Sequence, residues 1–175
     1  MGQAAVGAWS RVFCLPQSFK NAIIGSVIII LHFMQEIIYL GQIILAALLG
    51  GVLGWQRERW GKSAGPRTYA LVTAGSALFT VLSVQAFGLG DAGRVAAQIV
   101  TGIGFLGAGT ILHKKDHTEG LTTAAGLWMT AAIGMAVGVG YYLVSVASTF
   151  FILILLMVDD DRLFAKKGET RTKSQ

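Results

Sequence analysis

Four stretches of the chain carry no Asp, Glu, Lys or Arg: Ile37 to Gln56, Thr68 to Gly90, Val95 to Leu112 and Gly120 to Val158. They run for 20, 23, 18 and 39 residues. A helix needs roughly 20 mostly apolar residues to cross a bilayer. The first three stretches therefore suit one crossing each and the last suits two. The pattern predicts helices at about 37–56, 68–88, 94–112, 121–139 and 142–158. The expected fold is an all-α membrane protein, a compact bundle of five transmembrane helices.

Upstream, Asn21 to Phe33 is apolar but short for a crossing. It reads as a possible extra short N-terminal helix. Residues 1–33 are treated as an extension for which two readings stand: a shallow N-terminal segment, or a chain that begins at Met34. Residues 34–158 form the transmembrane domain and 159–175 a short charged tail.

Composition agrees with the pattern. Only 13% of residues are charged and 54% are hydrophobic, where a soluble domain carries about 25% charged residues. The basic residues also alternate between successive loops. Arg57, Arg59, Lys62 and Arg67 follow the first span, Lys114 and Lys115 follow the third, and Arg162, Lys166, Lys167, Arg171 and Lys173 follow the fifth. Only Arg94 lies in the loops between them. Positively charged loops stay in the cytoplasm, so the reading places the C-terminus on the cytoplasmic side of the membrane. The single cysteine, Cys14, excludes an intrachain disulfide.

The glycines of "TGIGFLGAGT" (Thr101 to Thr110) match a dinucleotide-binding fingerprint. That motif needs a strand before it and a helix start after it. These glycines instead lie inside an uncharged span, where loop backbone would leave amides unpaired in hydrocarbon. Small residues in membrane helices let neighbouring backbones approach. Gly50, Gly54, Gly102, Gly104, Gly107, Ala108, Gly134 and Gly138 are therefore expected to be packing surfaces. Gly61-Lys62-Ser63 ends like a phosphate-binding loop, but Gln56 stands where its first glycine is needed.

Three segments together are specific: "GWQRERWGKSAGPRTYALV" (Gly54 to Val72), "DAGRVAAQIVTGIGFLGAGTIL" (Asp91 to Leu112) and "GLTTAAGLWMTAAIGMAVGVGYY" (Gly120 to Tyr142). They resemble the MgtC/SapB family of bacterial inner-membrane proteins from about Ile37 to Val158, in order and spacing. The resemblance implies some five transmembrane helices and links to growth in low magnesium, acid tolerance and survival in host cells. It also implies a regulator that contacts membrane ATPases, the F-type ATP synthase included, with magnesium or other cation transport as the alternative. With 17 residues after Val158, only the transmembrane domain is expected, without the soluble C-terminal domain of the best-known members. The chain departs from the family where Gln56 replaces a frequent Glu, Thr122 an Asn, Met129 a Cys and Gly126 a common Thr.

Candidate functional residues follow from polarity at membrane depth. Asp91, Arg94 and Gln98 share one face at i, i+3 and i+7, and ionisable groups there usually face a partner or a wet cavity. Arg57, Glu58, Gly65, Arg67 and Thr68 form a basic loop suited to a protein partner or anionic headgroups, with Gly65-Pro66 as a turn and Thr68 at the next helix start. Thr122 and Thr123 would cap the fourth helix or bond across helices, and Trp128 would pack. Gln42, Gln85 and Gln98 read as interhelical hydrogen-bonders. His113 and His117 have a metal-pair spacing without a third ligand, and Asp159, Asp160 and Asp161 read as a solvated run. The expectation is a non-enzymatic protein with no cofactor, no metal site and no nucleic-acid partner. It is expected to lie in the lipid bilayer among other membrane proteins, with self-association through its glycine faces open to it.

Overall fold

The computed structural model describes residues 17–86, 92–113 and 118–157. Among them five helices follow one another: α1 (Gln17–Arg59), α2 (Pro66–Ala86), α3 (Ala92–Ala108), α4 (Leu121–Val139) and α5 (Tyr142–Met157). The only strands described are two-residue pairs, β1 (Leu112–His113) and β2 (Thr118–Glu119), joined antiparallel with Leu112 opposite Glu119. The protein is an all-α membrane bundle. Three helical segments are long and apolar enough to span a bilayer, Ile23–Arg59, Pro66–Gln85 and Leu121–Val139, and Tyr142–Met157 is a shorter apolar helix.

Two boundaries depart most from those read off the charge pattern. The first helix does not start near Ile37 after a separate short helix; it begins at Gln17 and runs for 43 residues. The chain's two prolines, Pro16 and Pro66, both lie outside it, so nothing in its interior removes a backbone donor. Helix α3 stops at Ala108 rather than at 112, where the Gly109–Thr110 turn leads into β1.

The chain divides into two units, Met1–Leu40 and Gly41–Gln175. In the first, the described side chains are largely exposed and apolar, Ile23 to Leu31 among them. Two of its polar contacts are local: Gln35 Nε2 donates to the Tyr39 hydroxyl at 2.8 Å, and His32 lies 3.7 Å from Glu36 one turn on.

In the second unit α4 is central and packs against α2, α3 and α5. Tyr69, Leu53, Leu127 and Ile133 are fully buried, joined by Ile152 and Leu156 of α5. Close approach depends on missing side chains. A Cβ on Gly134 would strike the Thr73 carbonyl of α2 and the Ser76 Cβ at 2.9 Å; one on Gly138 would lie 2.7 Å from the Ala77 carbonyl. From α1, Gly50 faces Thr73 and the Tyr69 carbonyl at 2.6 Å, and Gly54 faces the Gly65 carbonyl at 2.7 Å. Buried hydroxyls at these contacts are satisfied within their own helices: Thr73, Thr80, Thr130 and Thr149 each donate to the carbonyl four residues earlier, at 2.6–2.8 Å. That local bond lets a polar side chain sit inside the bundle without an unpaired group.

Other small residues behave differently. A Cβ on Gly107 would lie 3.5 Å from Ala124 Cβ of α4, but Gly102 and Gly104 have no heavy atom within 4 Å of where a Cβ would stand, and Ala108 is exposed. For Gly102 and Gly104, packing against another helix of the described chain is therefore corrected. No atom of a neighbouring helix comes within contact distance of either Cβ position.

Candidate functional site

On α1 the inward stripe is Ala46, Gly50, Leu53 and Gly54, all buried. Its helical spacing continues to Arg57, one turn past Leu53. Arg57 is thereby carried inside, only 3% exposed, while its neighbours Glu58 and Arg59 are exposed. Its Nη2 donates to Thr123 Oγ1 on α4 at 3.1 Å. The Tyr69 hydroxyl from α2 points at the Thr123 carbonyl at 3.5 Å and also interacts with the Arg57 guanidinium. Three helices thus converge on one positive charge.

The site is incompletely satisfied. Arg57 Nε and both amide atoms of Gln56 are buried without a hydrogen-bond partner in the structure. No carboxylate takes part in these bonds, although a buried ion costs several kcal/mol unless paired. The cluster offers donors and a positive charge, so it attracts hydrogen-bond acceptors and repels cations.

Tyr69 also accounts for the glycine at 126. A Cβ there would lie 2.6 Å from the Tyr69 hydroxyl. Any side chain at 126 would meet that hydroxyl, so the glycine is what leaves room for it.

The rest of the basic loop turns outward. Arg59 stacks over the Trp55 ring, 4.0 Å from its centre, and Arg67 and Thr68 are exposed. Gly65 lies beside Glu58, 3.5 Å from Glu58 Oε1 to where a Cβ would stand. Helix α2 starts at Pro66 rather than Thr68, with proline in the first turn where no amide donor is needed. Neither Thr122 nor Thr123 caps α4. Gly120 is the N-cap, at φ 87° with no side-chain cap, because its backbone passes against the Thr110 carbonyl, where a Cβ would not fit. Thr122 is exposed, Thr123 bonds across helices to Arg57, and Trp128 is half exposed. Gln42 does bond between helices, donating to the Tyr142 hydroxyl at 2.9 Å, whereas Gln85 and Gln98 are exposed.

Arg94 and Gln98 both line a groove between α2 and α3. Asp91, His117 and Asp159 to Asp161 lie outside the described residues. His113 is exposed on β1, and no group of three or more His, Cys, Asp or Glu able to hold a metal occurs among the described residues. Gln56 and Tyr69 were not singled out by the sequence as site residues. The signal for Gln56 was available in the α1 stripe that ends on Arg57, whereas Tyr69 lies on another helix and nothing local marked it.

Comparison with known proteins identifies what the chain is similar to. The model of the MgtC family matches residues 43–161. YhiD of Escherichia coli (strain K12), whose name refers to magnesium transport, is 45% identical over 126 residues, covering 67% of this chain and 58% of its own. SrpB of Synechococcus elongatus is 40% identical over 129 residues, covering 66% and 71%. MgtC of Salmonella typhimurium is 44% identical over 115 residues, covering 66% and 49%. The chain spans about half to three-fifths of the length of YhiD and MgtC. No solved structure matches it. With the family model matching residues 43–161, from the last part of α1 through α5, the chain belongs to the MgtC family.

Proposed function

We infer that this chain serves magnesium and ion homeostasis as a regulator in the bacterial inner membrane, with its C-terminus in the cytoplasm. It acts by contact with other membrane proteins, membrane ATPases among them, rather than by catalysis. The observation that carries this reading is Arg57. The charge held inside the bundle is a guanidinium 3% exposed, hydrogen-bonded to neutral groups. Mg²⁺ is held by oxygen ligands, carboxylates above all, and a fixed positive charge bonded only to neutral hydroxyls opposes its passage. The names of the relatives support the link to magnesium. Growth in low magnesium tests it: Arg57→Gln, at matched protein level, is expected to lose the growth advantage that the parent chain gives. Growth equal to the parent would count against the role assigned to Arg57.

A second reading, cation transport, is favoured by the name of the Escherichia coli relative. Purified protein in liposomes separates the two. The regulator reading expects no Mg²⁺ flux above empty vesicles, and robust flux with no other protein present would replace it.

A further inference from the structure

Between α2 and α3 lies a groove of about 860 Å³, within the 300–1,000 Å³ range of small-molecule sites. Its floor is buried, formed by Val72, Ser76 and Ile103, and Leu71, Phe79 and Leu106 stand exposed along its sides. Two glycines keep it open: Gly75 on α2 and Gly102 on α3 both line it, and a Cβ on either would meet nothing within 4 Å. Along α3 the lining runs from Arg94 to Leu106. At 1.5 Å per residue that is about 18 Å, close to one leaflet of a hydrocarbon core about 30 Å thick. The polarity is one-ended. Arg94 and Gln98 sit toward the start of α3, whose first-turn amides also favour an anion, and the rest is apolar apart from Ser76.

We propose that this groove binds one anionic phospholipid, its acyl chain lying between α2 and α3 and its phosphate on Arg94. The match is in length, in apolar lining and in the sign of charge at one end. Arg94 already makes an interaction within the protein, and a guanidinium with five N–H donors in a planar fork can take a phosphate in addition. The site is separate from Arg57 and does not depend on the contact with other membrane proteins inferred above.

Native mass spectrometry of the full chain, delipidated in detergent and titrated with dioleoyl phosphatidylglycerol or dioleoyl phosphatidylcholine, tests the assignment. The parent is expected to retain one phosphatidylglycerol per chain in preference to phosphatidylcholine. Arg94→Gln should lower phosphatidylglycerol retention about fivefold, toward the level of phosphatidylcholine, as expected for one basic residue near a headgroup. Gly75→Leu and Gly102→Leu fill the slot where nothing stands, so they should remove both lipids with helical content unchanged by circular dichroism. Equal retention of the two lipids by the parent, or retention unchanged in the filled variants, overturns the proposal. So does a dimer in the same spectra that the filled variants dissociate, because the occupant would then be a second copy. If both filled variants lose helical content, a spin-labelled phosphatidylglycerol on the parent decides: immobilised lipid competed off by phosphatidylglycerol supports the site, and a wholly mobile spectrum contradicts it.

Discussion

The two sides of α2 use glycine for opposite ends. Toward α1 and α4, absent side chains bring backbone against backbone: Gly50, Gly134 and Gly138 each have a helix atom from a neighbour where a Cβ would stand. Toward α3, Gly75 and Gly102 have empty space there. Spacing along the sequence does not distinguish the two. What separates them is whether a second helix occupies the space, and that is a property of the fold. On the closed side a glycine is a packing requirement; on the open side it keeps a groove clear.

Substitutions can break or sharpen this contrast. The largest effect is expected at Gly50→Val, whose branched side chain must displace Thr73 and the Tyr69 carbonyl. Overpacking alone costs about 1–3 kcal/mol, and two backbones locked together leave little room to relax, so loss of the folded species by fluorescence-detected size exclusion is the expected result. Next is Gly126→Ala, expected to cost about 1–3 kcal/mol in thermal unfolding. Combined with Tyr69→Phe the penalty should largely vanish, because the next ring atom is 3.6 Å away. Strict additivity in that double-mutant cycle would mean that the hydroxyl is not the obstacle.

Gln56→Glu puts a carboxylate one residue from the buried Arg57, on a side chain that is itself buried and whose amide has no hydrogen-bond partner in the structure. A hydrogen bond to a charged group contributes about 1.5–3 kcal/mol before the cost of burying the carboxylate. A net stabilisation of about 1 kcal/mol, seen as a raised unfolding temperature at pH 7, is the expected outcome; an unchanged or lowered temperature would show that Arg57 is already compensated. The smallest effect belongs to the open side. Gly75→Ala should be neutral or stabilising by up to about 1 kcal/mol, the intrinsic helix preference of alanine over glycine. A clear destabilisation there would close the groove.

Much of the architecture was legible in the sequence because the bilayer imposes it. Charge-free runs of the right length mark helices regardless of how those helices meet, so α2, α4 and α5 fall within two or three residues of where the pattern puts them. Contacts between helices were less visible. Gly134 and Gly138 were rightly placed in a helix interface, yet Gly102 and Gly104 carry the same local signal and face no helix of the described chain. Arg57 looked like one of several loop cations because it follows an apolar run. Its inward direction follows only when the α1 stripe is extended past the last apolar residue. Tyr69 could not be identified as fully buried from its place at a helix start, since the cavity it fills is made by a glycine 57 residues later in the chain.

The contrast between the two faces of α2 can be tested by making the same change on both. Gly134→Leu and Gly102→Leu, purified in one detergent and unfolded by heat side by side, differ only in what surrounds the new side chain. The account predicts that the first fails to fold or melts far below the parent, while the second stays within about 1 kcal/mol of it, the range of an uncrowded surface change. Equal melting of the two variants, in either direction, would contradict it.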